Sequence, residues 1–179
     1  MLILASASKA RSSLLDNAGI PHEVIPSKLD EKQFSFLSAH QLVQTLAVEK
    51  GKAVLSLIDE NLIHQQFCTL LACDSIFLFE GESFGKPIDQ EEAINRWHRF
   101  SSKSGSLITG HALFSLSKSK KKSRLNPFDQ LEKKVVSSKV YFSNLTSKEI
   151  ENYVLSGEPM SCAGGFSLEG RASSFINKI

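Results

Sequence analysis

Leu71-Ala72-Cys73-Asp74-Ser75-Ile76-Phe77-Leu78-Phe79 is an apolar run broken once by a carboxylate. A run of this length carrying aromatic residues predicts a buried strand. An acid in such a place is costly to desolvate unless a cation, a metal or hydrogen-bond donors face it. Two readings stand for Asp74. It closes a turn or caps a strand end, as Asp commonly does, or it serves chemistry brought to it from elsewhere in the chain.

On the C-terminal side, Glu80-Gly81-Glu82 reads as a turn and makes Ile76–Phe79 and Ser83–Phe84 a hairpin. Gly85-Lys86-Pro87 follows. Gly permits close approach to a ligand, Pro stiffens the backbone, and Lys86 supplies a point charge. Asp89 and Glu92 cap a helix with Ile94, Trp97 and Phe100 facing inward, Trp97 as core and His98 as a partly exposed helix residue.

On the N-terminal side, Leu2–Ala5 predicts a strand, and Ser8 predicts an N-cap for a helix ending before Gly19. Leu14, Leu15 and Ala18 lie at helical spacing for its core face. A strand, tight turn and helix start offer free N–H groups and a positive dipole end to an anion. Ser6 and Ser8 add hydroxyl donors, and Arg11, one turn in, reaches back over the same anion. The pattern S-x-S-x-x-R is short, and taken alone a plain cap with a solvent-facing Arg is its commoner reading. His22–Ile25 is a second strand. Ser38 and Gln41 form a capping box opening a helix to about Leu57, with Leu42, Leu46, Ala53 and Leu57 on its buried face. Glu49 and Lys50 lie at the flank of that face, where a lone lysine is usually solvated.

Beyond the central strand, Ser104-Gly105-Ser106 reads as a break and Leu107–Leu116 as a strand carrying Thr109-Gly110-His111. His111 is a base, a ligand contact or, more commonly for a strand His, a core residue. Ser117–Lys134 is a low-complexity tract with Lys118, Lys120, Lys121, Lys122 and Arg124 among serines. It lacks interleaved aromatics, which argues for a solvated hairpin loop over a nucleic-acid patch. Val135–Phe142 alternates as a strand. Thr146 and Glu149 box a helix with Ile150, Tyr153 and Val154 inward and Gly157 at its end. Ala163-Gly164-Gly165 reads as a loop with room for a ligand, and Phe166–Gly170 as a short strand ending in an acid, Glu169. Alternating strands and helices with hairpins among them predict an α/β domain with a mixed sheet.

The chain has 179 residues, a size suited to one domain (1–179) with a real core, and 41% apolar content, which excludes general disorder. A net charge of +2 is too small to argue for nucleic acid. No run approaches the ~18 apolar residues of a membrane span, and Met1–Ala5 lacks the basic region of a signal peptide. The three cysteines, Cys68, Cys73 and Cys162, fit neither a disulfide framework nor a zinc site, so a reducing, cytoplasmic setting is expected.

Together these stretches resemble the Maf family of nucleoside triphosphate pyrophosphatases. The resemblance rests on Leu4-Ala5-Ser6-Ala7-Ser8 with Arg11, Leu29-Asp30-Glu31, Ala47-x-Glu49-Lys50, Cys73-Asp74-Ser75 and Gly85-Lys86-Pro87. It continues through Ser104-Gly105, Thr109-Gly110-His111, Glu149-Ile150, Tyr153, Ser156-Gly157-Glu158-Pro159, Ala163-Gly164-Gly165-Phe166 and Glu169-Gly170. These follow the family's order over nearly the whole chain. The resemblance implies a twisted mixed sheet in a two-lobed α/β fold with a central cleft. It also implies hydrolysis of a nucleoside triphosphate to the monophosphate and pyrophosphate, with Asp74 as general base and a divalent cation, Mg²⁺ or Mn²⁺. Ser6, Ser8, Arg11, Lys50 and Lys86 would meet the phosphates, and Glu31, Glu49 and Asp74 are the candidate metal ligands. A non-catalytic nucleotide-binding regulator of septum formation is the alternative the family name carries.

Three departures bear on the expectation. Lys9 and Ala10 replace the family's Pro and bulky residue in the turn, so neither familiar substrate branch transfers directly. Glu169 stands where the pyrimidine branch has Gln; an ionised Glu accepts hydrogen bonds only, which suits a guanine-like edge rich in N–H donors. Family members continue past Phe175–Ile179 into a last helix, and a chain truly ending here would lack part of the fold or active-site wall, with reduced stability or a dependence on homodimer contacts.

Overall fold

The computed structural model describes residues 2–58, 68–116 and 130–179. Among them are seven strands, β1 (Leu2–Leu4), β2 (His22–Val24), β3 (Cys68–Phe79), β4 (Glu82–Phe84), β5 (Ser104–Leu116), β6 (Leu131–Phe142) and β7 (Ile176–Lys178). Four helices accompany them, α1 (Lys9–Asn17), α2 (Ala39–Leu55), α3 (Gln90–Phe100) and α4 (Ser147–Leu155). The sheet runs β2-β1-β3-β5-β6-β7, with β4 on β3. It is mixed: β1 lies parallel to β2 and β3, whereas β4 is antiparallel to β3 and β7 to β6.

The chain divides into two compact units, Met1–Asp74 with Gly110–Val135 and Ser75–Thr109 with Val136–Ile179. Asp74 is the last residue of the first segment, so β3 passes from one unit to the other immediately after it.

In the first unit, Ile3, Ala5, Ala47, Val54, Ile58, Leu70, Ala72, Ala112 and Phe114 form the core. The buried positions of α2 are Val43, Leu46, Ala47, Gly51 and Val54. This corrects the expected face: Leu57 is exposed, and Leu42 and Ala53 are only partly covered. Val43, Ala47 and Val54 share one stripe at 3.6-residue spacing, and Lys50 falls within it rather than on its flank. Two glycines allow the close packing of α2 on β5. A side chain on Gly51 would run into the Phe114 ring, and one on Gly110 into the Val43 backbone. α1 is capped by Ser8 as expected but buries neither Leu14 nor Ala18. Its inward arc centres on Arg11, Ser12 and Leu15, with Ser12 hydroxyl bonded to His22 Nε2 at 2.7 Å, and this leaves Leu14 and Ala18 on the rim.

In the second unit, aromatic rings make the core: Phe77, Phe79, Phe84, Trp97, Phe100, Phe142, Tyr153 and Phe166. The β3–β4 hairpin forms as expected. Glu80 (φ 50°) and Gly81 (φ 84°) supply the two left-handed residues of a tight turn whose twist matches the strands. α3 buries Trp97 and Phe100 and leaves His98 exposed, and α4 buries Ile150, Tyr153 and Val154.

Four expectations are corrected here. Ser104-Gly105-Ser106 lies inside β5 and is no break; Gly105 is required because a side chain would meet the Phe77 ring, and the chain turns earlier, at Ser102 (φ 61°). β6 begins at Leu131, so Leu131–Lys134 are strand, while 117–129 of the lysine-rich tract lie outside the described residues. Gly164 and Gly165 are buried packing points; a Cβ on Gly164 would lie 2.6 Å from that of Phe77, so they offer no ligand room. Phe166–Gly170 is a bend closed by Gly170 N–H to Ser167 O, with Glu169 exposed, where a strand was expected.

Candidate functional site

The centre of the first unit is a buried ammonium held by two acids. Lys50 Nζ lies 2.5 Å from Asp74 Oδ1 and 2.8 Å from Glu31 Oε1. The Lys50 and Asp74 side chains are each only 13% exposed, against 52% for Glu31. Each arrives on a different element. Lys50 comes from the inner stripe of α2, and Asp74 from the middle of β3. Glu31 opens a 3-10 turn, Glu31–Phe34, capped by Asp30 through Lys32 N–H.

Burial raises the Asp74 pKa above the ordinary range; Lys50 opposes this by charge and hydrogen bond, and the like charge of Glu31 adds to it. Burial works against the Lys50 ammonium, but Asp74 and then Glu31 outweigh it, and its pKa is raised. A carboxylate held this way binds a proton more readily than a free Asp, which suits a base.

Beside this centre stands the β1–α1 turn. Arg11 Nη1 donates to Ser6 Oγ at 3.0 Å and to the Cys73 carbonyl at 2.7 Å. Ser8 N–H also donates to Ser6 Oγ at 3.2 Å, and Arg11 N–H to Ser8 Oγ at 3.4 Å. The guanidinium thus reaches back over the turn, where a solvent-facing Arg was the commoner reading, and is anchored on the residue preceding Asp74. Arg11, Ser6, Ser8, Glu31, Lys50 and Asp74 all belong to this unit.

Of the three candidate metal ligands, the structure brings together Glu31 and Asp74. Glu49 pairs instead with Lys52 at 2.6 Å, one turn along α2. No group of three or more His, Cys, Asp or Glu side chains converges among the described residues. Two carboxylates suit an Mg²⁺-type ion that completes its shell with water and substrate phosphates, with the second oxygen of each acid to offer, because Glu31 Oε1 and Asp74 Oδ1 both lie on Lys50 Nζ. The pair does not fit an ion caged by protein alone.

Lys86 and Glu169 lie in the second unit. Their loops are joined there: Gly164 N–H donates to Gly85 O at 3.0 Å, and Pro87 packs beside Gly165. Burial is the main cause that raises the Cys162 thiol pKa; the Ser161 hydrogen bond opposes it, Glu158 and Glu169 add to it, and Lys86 opposes it last. His111 keeps a buried Nδ1 without a hydrogen-bond partner among the described residues, and its carbonyl accepts from Gln44 at 3.1 Å.

Within the second unit, two charged groups to which the sequence assigned no role are held by local networks. Arg96 is buried, and its Glu92 partner four residues back was legible as a helical ion pair. Glu158 accepts from Tyr153 O–H at 2.8 Å, Arg171 N–H at 2.9 Å and Ala172 N–H at 3.2 Å, and no local signal announces that clamp.

A serine–arginine turn at a helix start, next to a buried acid–ammonium pair, offers the N–H donors and charge that suit an anion. The family model described as Maf-like protein matches residues 1–179, and the chain belongs to the Maf family. A relative from Synechococcus sp. (strain CC9311) is 43% identical over 180 residues, covering 100% of this chain and 89% of the relative. One from Prochlorococcus marinus (strain NATL2A) is 45% identical, with 100% and 85% covered. One from Parasynechococcus marenigrum (strain WH8102) is 47% identical over 176 residues, with 98% and 83% covered. Each of the three is named nucleoside triphosphate pyrophosphatase. Among the described residues no helix is long and apolar enough to cross a membrane.

Proposed function

We propose that this chain hydrolyses a nucleoside triphosphate to the monophosphate and pyrophosphate, with Asp74 as general base. The observation that carries the reading is the Asp74–Lys50–Glu31 centre set directly beside the Ser6–Arg11 turn. The names of its relatives support the same reaction. Water attacks the α-phosphorus and Asp74 takes its proton as the new P–O bond forms; the bond to the α–β bridging oxygen breaks and pyrophosphate leaves. Lys50 orients the Asp74 carboxylate. Arg11, Ser6, Ser8 and the start of α1 offer charge and donors to the phosphate oxygens, where the transition state gathers negative charge. Glu31 and Asp74 would hold a divalent cation, Mg²⁺ or Mn²⁺, which when bound would neutralise phosphate charge and acidify water.

The test is pyrophosphate release from a panel of normal and modified nucleoside triphosphates with Mg²⁺, Mn²⁺ or EDTA. Release that needs the metal supports the reading. Nucleotide binding with no release from any substrate would overturn it in favour of a non-catalytic regulator.

Two further outcomes follow from the second unit. Lys86→Ala should lower kcat/KM by about 10- to 100-fold, the worth of a hydrogen bond to a charged phosphate, with weaker binding contributing. Steady-state kinetics check it, and an unchanged kcat/KM would remove Lys86 from the phosphate site. Glu169, exposed and an acceptor only, favours a base edge rich in N–H donors. Guanine or 7-methylguanine triphosphates should therefore react faster than pyrimidine triphosphates. Equal rates, or a pyrimidine preference, would sink that assignment.

A further inference from the structure

Arg96 is a charged side chain on the core side of α3 and is only 8% exposed. A buried guanidinium is costly unless its donors are met. Here they are met by the loop that carries Lys86. Arg96 Nη1 donates to the Gly85 carbonyl at 2.7 Å, while Nε and Nη2 both reach Glu92 Oε1, at 3.1 and 2.5 Å. The other oxygen of Glu92 accepts the Ile88 N–H at 2.7 Å. Those bonds take hold of the residues on either side of Lys86-Pro87. The Ile88 N–H is the main reason the Glu92 carboxyl lies below its ordinary range. The Gly85 carbonyl is fixed a second time by Gly164 N–H, and the guanidinium lies over the Phe84 ring, 5.1 Å from its centre.

We propose that Arg96 is a positioning residue: with Glu92 it holds both ends of the Gly85–Ile88 loop and so sets where the Lys86 ammonium stands. The inference rests on the reading that Lys86 meets substrate phosphate. A lysine at 96 has one compact ammonium on a flexible stem and does not reproduce a fork that serves a carbonyl and a carboxylate together.

The experiment is a double-mutant cycle in pyrophosphate release, with Arg96→Met, Arg96→Lys and Lys86→Ala, alone and combined. Urea unfolding is run on every variant. Each Arg96 variant should lower kcat/KM roughly tenfold, chiefly through KM, and should lower it no further once Lys86 is Ala. The stability losses should simply add, because Lys86 is exposed and takes no part in the buried network. A purely structural role predicts the opposite pattern: the catalytic losses multiply, and that result overturns the inference while leaving Lys86 in place. An unchanged kcat/KM in Lys86→Ala overturns the reading itself and the inference with it. If neither Arg96 variant folds, Glu92→Gln, whose side chain is 34% exposed, supplies the same cycle.

Discussion

Asp74→Asn should lower kcat for pyrophosphate release by about 10²- to 10⁴-fold, the usual worth of a positioned general base. Asn keeps the shape and the hydrogen-bonding oxygen but does not take a proton. At saturating Mg²⁺ or Mn²⁺, which offsets the loss of one of the two proposed metal ligands, KM should not rise, because removing a negative charge eases the approach of an anionic substrate. The fold should persist: Lys50 keeps Glu31 at 2.8 Å, so no buried ammonium is orphaned. The pH profile gives an independent check. The wild-type base works only when deprotonated, so kcat/KM should fall as pH drops through the native Asp74 pKa. Burial lifts that pKa, so the acid limb should sit above the ordinary Asp value of about 3.9. In Asp74→Asn the residual rate should lose this limb. Wild-type activity in the variant, or an unchanged acid limb, would end the assignment.

Phe77→Ala should cost about 3–5 kcal/mol, the range for removing a large core aromatic. The ring is fully buried, and those of Phe166, Phe100, Phe142 and Phe79 surround it at centroid distances of 4.9, 5.1, 5.8 and 6.2 Å. The Phe100, Phe142 and Phe166 rings meet it edge to face, an arrangement that adds to simple burial. Gly105 and Gly164 have no side chain where this ring packs, so neither can move in to fill the hole. A cavity that cannot collapse lies at the expensive end of the range. Urea unfolding measures it; a loss under about 1 kcal/mol would show that the surrounding rings close the gap. Phe77 stands on β3 three residues beyond Asp74, so activity measured on the folded fraction also reads how strictly that strand must be held.

Features set by neighbours in the chain were legible before any fold was known. The caps at Ser8, Asp89 and Thr146, the hairpin at Glu80-Gly81 and the helix stop at Gly157 all depend on residues within one or two turns. So does the hydrogen-bonded β1–α1 turn, because Ser6, Ser8 and Arg11 sit on a single stretch of chain. Lys50 was harder. Its helix was evident, but an error of one position in the inward stripe turned it toward solvent, and only the contact of α2 with β5 fixes that rotation.

The glycines divide in the same way. Gly81 and Gly157 follow from the turns that need a positive φ, whereas Gly105 and Gly164 look like loop residues until the Phe77 ring is placed against them. Glu49 and Glu31 were indistinguishable as metal ligands by type; helix geometry gives Glu49 to Lys52, and the 3-10 turn brings Glu31 to Lys50.

The sequence by itself determined the α/β class and the helix ends, because each is written in spacing along the chain, and the resemblance of its motifs gave the family and the residue types able to handle a triphosphate. The tertiary structure decided that Asp74 faces Lys50 and Glu31, that Arg11 rests on the Cys73 carbonyl, and that Arg96 grips the Lys86 loop. Those pairings join segments many residues apart, and burial and charge become chemistry only where such segments meet.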